Sequence, residues 1–132
     1  MKKEITKIAL ITGGGSGLGL AITRALIENG IFVCIFGREK GRTFQLLDEK
    51  EKENTCFFEV DVTNVERVNH AVQEVIYKFG YIDILINNAG QKLFKNIAEI
   101  TYKTWRDVID VNLSGPFVVT KAVLSHMADK KY

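Results

Sequence analysis

The sequence predicts an α/β fold in which helices cover both faces of a doubly wound parallel sheet. Three observations predict it. Residues 7–29 read as an apolar strand, a glycine-rich turn and a helix. A strand followed by a helix then recurs along the chain. Two of the strands are continuous apolar runs, which is typical of strands that are buried on both faces.

The first strand is predicted from Lys7 to Thr12, and its helix from Ser16 to Glu28. The turn between them is rich in glycine, which reaches positive φ easily and lets other groups approach the backbone closely. A helix that begins there directs unpaired N–H groups and a partial positive charge at the turn. A pyrophosphate is the natural occupant, and a glycine-rich turn that binds nothing is the alternative. The candidate binding residues of this turn are Gly13, Gly15, Ser16, Gly17, Leu18 and Gly19.

The later elements follow the same alternation. Further strands are predicted from Ile31 to Phe36, Thr55 to Val60 and Ile82 to Ile86. A charged helix from Glu39 to Glu53 is expected to turn Phe44 and Leu47 inward. Gly30 and Gly80 fit the left-handed residue that ends many helices.

Two helices are predicted in the second half of the chain. Thr63-Asn64-Val65-Glu66 has the sequence of a capping box. The helix after it is expected to place on one face Val65, Val68, Val72, Val75, Ile76 and Phe79. After the fourth strand, a loop of about ten residues leads to a helix start near Thr101 or Thr104. Ser114-Gly115-Pro116 is expected to restart this helix, because proline is tolerated in a first turn, and Phe117 to His126 to continue it.

Right-handed crossovers place the strands in the order 3-2-1-4, a Rossmann-like arrangement in a single domain over residues 1–132. Ligands of such sheets bind beyond the carboxyl ends of the strands. Four segments fall at that edge: the glycine turn, Gly37-Arg38, Asp61-Val62 and Asn87 to Gly90. Their convergence favours a cofactor site over a plain scaffold.

Composition excludes several classes of function. The 18 basic and 16 acidic residues leave a net charge of +2, which argues against a nucleic-acid partner. No apolar run approaches the ~18 residues of a membrane span, and the N-terminus lacks the apolar region of a signal peptide. The two cysteines, Cys34 and Cys56, lack metal-ligand spacing. We therefore expect a cytoplasmic protein with two buried free thiols and no metal site.

Together these motifs resemble the short-chain dehydrogenase/reductase family, from about Thr6 to the end of the sequence. The resemblance is carried by Thr12-Gly13-x-x-x-Gly17-x-Gly19, Asp61-Val62, Asn87-Asn88-Ala89-Gly90 and Asn112. It implies an oxidoreductase that transfers hydride between a nicotinamide cofactor and a carbonyl or alcohol. The pyrophosphate would lie over Gly13 to Gly19.

The resemblance also implies roles for the polar residues at the strand ends. Asp61 and Val62 would lie beside the adenine, and the segment Asn88, Ala89 and Gly90 alongside the cofactor. Asn87 would brace the sheet. Asn112 would hold the water of a catalytic proton relay, and a helix-end asparagine without that role is the alternative.

The end of the second strand bears on the choice of cofactor. NAD-dependent members of the family carry an acidic residue where this sequence has Gly37, followed by Arg38. A guanidinium pairs with a 2′-phosphate, whereas a carboxylate repels it. We therefore expect NADP(H) to be preferred, with NAD(H) as the alternative. There are two competing interpretations. Arg38 is a solvated loop charge, or the negative charge of Glu39 weakens the attraction of Arg38 for the phosphate.

The family's catalytic serine and Tyr-x-x-x-Lys pair have no match in this sequence. Because the sequence ends where the family enters its fifth strand, we expect a truncated domain that is inactive by itself. We also expect self-association, or pairing through the exposed edge of strand four. A non-catalytic NADP(H)-binding module, or a decayed gene product that acts by association, is the alternative. The substrate is left unassigned; Leu93 and Phe94 could border it or belong to a plain loop.

Overall fold

The computed structural model describes residues 7–129 and shows a four-stranded parallel sheet in the order β3-β2-β1-β4. The predicted order 3-2-1-4 is confirmed. The positions 1–6, including Thr6, and 130–132 lie outside the described residues. The strands are β1 Ile8–Thr12, β2 Phe32–Gly37, β3 Thr55–Glu59 and β4 Ile84–Asn87. The helices are α1 Gly17–Glu28, α2 Lys40–Leu46, α3 Glu49–Glu53, α4 Val65–Phe79, α5 Tyr102–Ile109 and α6 Gly115–Ala128.

Helices cover both faces of the sheet. On one face the side chains of β1 and β2 pack against α4 and α6, where Val72, Val75 and Val119 are fully buried. On the other face Ile11, Val33 and Ile35 pack against α1. Burial on both sides explains the apolar run of β2, as the sequence predicted. The other continuous apolar run, in β4, is only half-buried, against the same expectation, because β4 lies at the edge of the described sheet.

The strand ends are level at the carboxyl edge of the sheet. Thr12, the last residue of β1, lies opposite Phe36 of β2 and Asn87 of β4. The loops that follow these strands therefore meet on one side of the molecule, which is where a ligand of such a sheet binds.

The predicted capping box at Thr63 is wrong. Asn64 caps α4 instead, with its side-chain oxygen accepting from the N–H of Arg67 at 3.0 Å. The N–H and hydroxyl of Thr63 both donate to Asp61 Oδ1, at 2.9 and 2.7 Å. Because that carboxylate takes the Thr63 hydroxyl, the threonine does not cap the helix. Gly80, with φ 84°, ends α4 as predicted.

The inward face predicted for α4 holds with one exception. Val68, Val72 and Val75 are fully buried, but Val65 is 51% exposed. Val65 is the first residue of the helix. Hydrophobic spacing identifies the face that a helix buries, but it does not show where the covering elements end.

The charged helix predicted from Glu39 to Glu53 is split into α2 and α3. Asp48 and Glu51 form a capping box in which each side chain accepts from the backbone N–H of the other residue, both at 2.8 Å. A new N-terminus at Asp48 requires an extended residue before it, and Leu47 has ψ 136°. Leu47 is buried as predicted, and Phe44 packs edge-on against Phe57.

α6 begins at Gly115 with Pro116 in its first turn, at the predicted position. The helical backbone nevertheless runs unbroken from Tyr102 to Ala128. A widened π-turn, Asp110–Ser114, joins α5 to α6. Such a turn changes the hydrogen-bond spacing just where Pro116 lacks an N–H. Thr101 caps the start, as one of the two predicted positions.

By length and composition alone, this 27-residue helix is able to cross a membrane. The sequence expectation that no stretch is long and apolar enough is therefore corrected: the helix reaches spanning length because it continues through the π-turn. In the fold, its stripe of Gly115, Val119 and Val123 is buried, as in a helix that lies on a core.

The cysteines differ in accessibility. Cys34 is fully buried, whereas its register partner Cys56 is only half-buried, against the expectation that both are buried. Burial, and to a smaller extent the neighbouring Cys56, raise the pKa of the Cys34 thiol to about 12, while Lys78 opposes the shift. The Lys78 ammonium lies 3.5 Å from the sulfur of Cys56.

We expect iodoacetamide at pH 8 to modify Cys56 and leave Cys34 unmodified in the folded chain, because the thiolate is the reactive form. Mass spectrometry of the alkylated protein would show one adduct, and a second only after denaturation. The variant Cys56→Ser should then resist alkylation when folded. Equal rates for the two cysteines would contradict the buried position of Cys34.

Candidate functional site

An open cleft of about 800 Å³ lies at the carboxyl ends of the strands. All four predicted edge segments contribute to it. Of the residues predicted from sequence, the cleft is lined by Gly13, Gly15, Ser16, Leu18, Gly19, Arg38, Asp61, Val62, Asn88, Ala89, Gly90 and Asn112. Gly17 does not line it. This glycine has φ 51° and open space beside its α-carbon, so it serves the backbone path of the turn.

The glycine turn is a closely fitted cradle. Gly13 has φ 67°, and its N–H donates to the Phe36 carbonyl at 2.8 Å. A β-carbon on Gly19 would collide with the Gly13 carbonyl and with the Asn88 amide. A β-carbon on Gly15 would collide with the Thr43 side chain. The turn therefore keeps its shape only without side chains at these positions.

The start of α1 completes this cradle. Ser16 is the N-cap residue, but its side chain makes no capping hydrogen bond. The first turn of α1 contains no acidic side chain. Within the described residues, the first N–H groups of this 12-residue helix are thus left for another acceptor.

Thr12 and Asn88 join the glycine turn to the loop after β4. Thr12 is 2% exposed, and its hydroxyl oxygen accepts from the N–H groups of Asn88 and Ala89 at 3.1 and 3.0 Å. The Asn88 amide donates in return to the carbonyls of Thr12 and Gly13, at 3.1 and 3.0 Å. The Asn88 side chain is thus engaged in positioning two loops. The role of the Thr12 hydroxyl was not predicted from the sequence, although a threonine at the end of a buried strand is a signal for it.

Asn87 connects the sheet to a helix. Its amide donates to the Thr120 hydroxyl of α6 at 3.0 Å. Asn87 also lies opposite Thr12 in the β1–β4 register and lines the cleft. Its side chain thus braces β4 against α6.

Asp61 keeps its charge in this cleft. Its pKa is lowered, first by the hydrogen bond from the Thr63 N–H, then by that from the Thr63 hydroxyl, and to a smaller extent by the positive charge of Arg38. Both hydrogen bonds go to Oδ1. A carboxylate with its other oxygen available is a natural acceptor for an exocyclic amine. Val62, next to Asp61, is 7% exposed and packs closely against Gly115 at the start of α6.

Asn112 lies in the π-turn and holds the loop after β4. Its side-chain oxygen accepts from the Gln91 N–H at 2.7 Å, and its amide donates to the Gln91 carbonyl at 2.8 Å. Both polar atoms of the side chain therefore bind one backbone unit. Its role in a water-mediated proton relay stays a prediction.

The basic edge of the cleft contains one residue that the sequence did not single out. Arg38 follows β2, and Arg42 lies one helical turn further along, in α2. The helical spacing of the two arginines was a signal for it. The structure also adds to the lining Thr43, Gln91, Lys92, Val111 and Pro116. Leu93 and Phe94, the two residues considered for substrate contact, do not line the cleft, and Phe94 is 88% exposed.

The described residues 7–129 contain no group of three or more His, Cys, Asp or Glu side chains that could hold a metal ion. The polar groups that line the cleft are backbone N–H groups, side-chain amides and hydroxyls, the carboxylates of Glu39 and Asp61, the guanidinium groups of Arg38 and Arg42, and the ammonium of Lys92.

The sequence matches one protein family and several curated proteins over nearly its whole length. The family described as short chain dehydrogenase matches residues 7–132. An uncharacterised oxidoreductase of Staphylococcus aureus strain MW2 is 36% identical over 124 residues, which cover 94% of this chain and 54% of the relative. A similar oxidoreductase of Staphylococcus saprophyticus is 35% identical over 127 residues, with the same coverage. The chain thus spans about half the length of the curated relatives it matches.

Solved structures match at the level of the fold. The structure of ElxO with NADP bound superposes with a TM-score of 0.87 and 34% identity, over 94% of this chain and 51% of that chain. A short-chain dehydrogenase from Streptomyces avermitilis gives a TM-score of 0.88 with 29% identity, over 98% and 47%. A ligand-free aldohexose dehydrogenase from Thermoplasma acidophilum gives 0.83 with 26% identity, over 95% and 46%.

Proposed function

Because the chain belongs to the short-chain dehydrogenase family, we propose that its cleft binds a nicotinamide cofactor, with NADP(H) preferred over NAD(H). The reaction class is hydride transfer between a carbonyl and an alcohol. The observation that carries the proposal is the meeting of the glycine turn, Arg38, Asp61 and the segment Asn88–Gly90 around one cleft of about 800 Å³.

The glycine turn is the proposed pyrophosphate site. Its glycines carry no side chains, so a ligand is able to approach their backbone closely. The first N–H groups of α1 are left for an acceptor, and the helix dipole favours negative charge there. Both features suit a pyrophosphate better than a neutral ligand.

The adenine is proposed to lie beside Asp61 and Val62. The two hydrogen bonds from Thr63 lower the pKa of the Asp61 carboxyl further below neutral, so Asp61 is a carboxylate. It is thus able to accept a hydrogen bond from the exocyclic amine. On the β4 side, Ala89 and Gly90 add little bulk to the cleft wall, which leaves space for a flat group.

Arg38 is the proposed determinant of NADP(H) preference. It comes directly after β2, with Gly37 rather than an acidic residue before it. Within residues 7–129, Arg38 forms no salt bridge within 4.0 Å. A guanidinium in this position suits the bidentate binding of a 2′-phosphate. The NADP-bound ElxO structure, at 34% identity, supports the same preference.

We expect Arg38→Ala to weaken NADPH binding roughly 10- to 100-fold, the cost of losing charge-assisted hydrogen bonds. NADH binding should change less than about threefold, because NADH lacks the 2′-phosphate. Titration calorimetry, with Trp105 fluorescence as a second readout, would measure both affinities. Lys40→Ala is the matched control, since it removes the same charge from a residue that does not line the cleft. Equal losses for both cofactors would contradict the role of Arg38.

Catalysis by residues 1–132 alone depends on whether they contain the acid/base pair of the family. A bound nicotinamide supplies the hydride, and the family pairs it with a tyrosine acid/base that lies four residues before a lysine. None of the four tyrosines of this sequence has that neighbour. We therefore propose that this chain by itself binds the cofactor but does not catalyse hydride transfer. The second candidate function, a non-catalytic NADP(H)-binding module, has the same property.

The proposed partners follow from the same features. The proposed substrate is a small carbonyl or alcohol that is left unassigned. The proposed location is the cytoplasm, and neither a nucleic acid nor a membrane is proposed as a partner. The near balance of positive and negative residues supports the absence of a nucleic-acid partner. Among the described strands β4 pairs only with β1, so it forms an edge of the sheet. Such an edge invites pairing with another chain. Exposed Trp105 and Phe117 on the helix from Tyr102 to Ala128 add apolar surface to the protein.

A further inference from the structure

We propose that Arg42 is a second binding residue for the 2′-phosphate, so that Arg38 and Arg42 together set the preference for NADP(H). The inference rests on the proposed function of the cleft and extends it to a residue of α2. Arg38, Glu39 and Arg42 all lie in the segment that follows β2, and all three line the cleft.

Thr43 fixes the position of Arg42. Thr43 is 6% exposed, and its hydroxyl donates to the Glu39 carbonyl at 3.1 Å while its N–H donates to the same oxygen at 3.2 Å. Its side chain fills the space where a β-carbon on Gly15 would lie. The first turn of α2 is thereby held against the glycine turn. Arg42, the residue before Thr43, is thereby held at the rim of the cleft.

Arg42 is also available to a ligand. Its described ion pair is with Glu39 at 4.0 Å, and the two side chains are 72% and 69% exposed. A surface pair of this kind contributes little and is readily exchanged. Arg24 shows the contrast, because it is engaged by Glu51 at 2.8 Å and by the Leu46 carbonyl at 2.7 Å.

The charge balance at this rim calls for more than one arginine. A phosphate monoester carries between one and two negative charges near neutral pH. Glu39, which also lines the cleft, adds a further negative charge. With Arg38 as the one positive charge, the phosphate, Glu39 and Arg38 together remain negative. The positive charge of Arg42 offsets the negative charge of Glu39 or part of that of the phosphate. Glu39 should therefore oppose NADP(H) binding, and Arg42 should offset it.

The test compares four variants of the 132-residue chain at one fixed ionic strength, because exposed charges are screened by salt. Arg42→Ala is expected to weaken NADPH binding about five- to tenfold and to change NADH binding less than about twofold. Glu39→Gln is expected to tighten NADPH binding by about two- to fivefold. Arg42→Lys should retain only part of the affinity, because lysine keeps the charge but not the bidentate geometry. Lys40→Ala controls for net charge, since Lys40 lies over the Phe44 ring, 5.5 Å from its centroid, and does not line the cleft.

A second pair of probes separates the 2′-phosphate from the rest of the cofactor. Adenosine 2′,5′-bisphosphate should lose affinity in Arg42→Ala, whereas adenosine 5′-monophosphate should not. The inference is overturned if Arg42→Ala and Lys40→Ala behave alike, or if NADH and NADPH weaken equally. If the original chain prefers NADPH and only the Arg42 effect is missing, this inference fails and the proposed function stands. If the folded original chain binds neither cofactor, both fail.

Discussion

Replacing Gly19 by alanine is expected to abolish binding of NADPH and NADH and to lower the free energy of unfolding by about 2–3 kcal/mol. The added β-carbon would collide with the carbonyl oxygen and the carbonyl carbon of Gly13 and with the side-chain amide nitrogen of Asn88. Two of these three atoms belong to the backbone of the turn, so no side-chain rotation relieves the collision. The turn and the loop after β4 would have to separate. Urea denaturation and cofactor titration would measure the two effects.

Gly41→Ala is the matched control for this prediction. Gly41 lies inside α2, and no atom would come within 4 Å of its added β-carbon. Alanine is favoured over glycine in a helix by about 1 kcal/mol. The control should therefore be as stable as the original chain or slightly more stable, and it should bind cofactor normally. If Gly19→Ala matched this control in stability and binding, the close fit of the turn would not be what the site depends on.

Thr12→Val is expected to lower the free energy of unfolding by about 2–3 kcal/mol and to weaken cofactor binding by at least tenfold. Valine has nearly the same shape and suits a strand, so packing within β1 is preserved. What is lost is the hydroxyl that accepts from the N–H groups of Asn88 and Ala89. An interior N–H without a partner costs about 1–3 kcal/mol. The loop that borders the cleft would no longer be held to the glycine turn.

Thr12→Ser separates the hydroxyl from the methyl group. Serine keeps the acceptor and removes only a methyl, so we expect a loss of about 1 kcal/mol and near-normal binding. Chemical denaturation and NADPH titration of the two variants in parallel would make the comparison. Equal behaviour of Val and Ser variants would show that packing, rather than the two hydrogen bonds, explains the importance of Thr12.

The proposed cofactor site is built mainly from backbone. The glycine turn, the N-terminus of α1 and the loop after β4 supply surfaces and N–H groups, and the buried contacts between them give the cleft its shape. Arg38 and Arg42 stand at its exposed rim. Substitutions in the first group should therefore affect folding and all cofactors together, whereas substitutions at the rim should affect only the choice between cofactors.

The amino-acid sequence by itself determined the fold class, the strand order and the edge of the sheet where the site lies. These features depend on local signals. Apolar runs predict buried strands, glycine marks tight turns, and right-handed crossovers then leave one strand order. Gly30 and Gly80 end their helices with φ of 77° and 84°, as the sequence indicated.

The tertiary structure alone decided which polar groups pair with one another. Thr63 had the sequence of a cap, but its hydroxyl binds Asp61, so Asn64 caps α4. Asn112 had the position of a helix-end residue, but its side chain holds the backbone of Gln91, 21 residues away. Each of these side chains has several possible hydrogen-bond partners nearby in the sequence. Only the packing of distant segments selects among them, because hydrophobic spacing specifies which face is buried and not which hydrogen-bond partner arrives there.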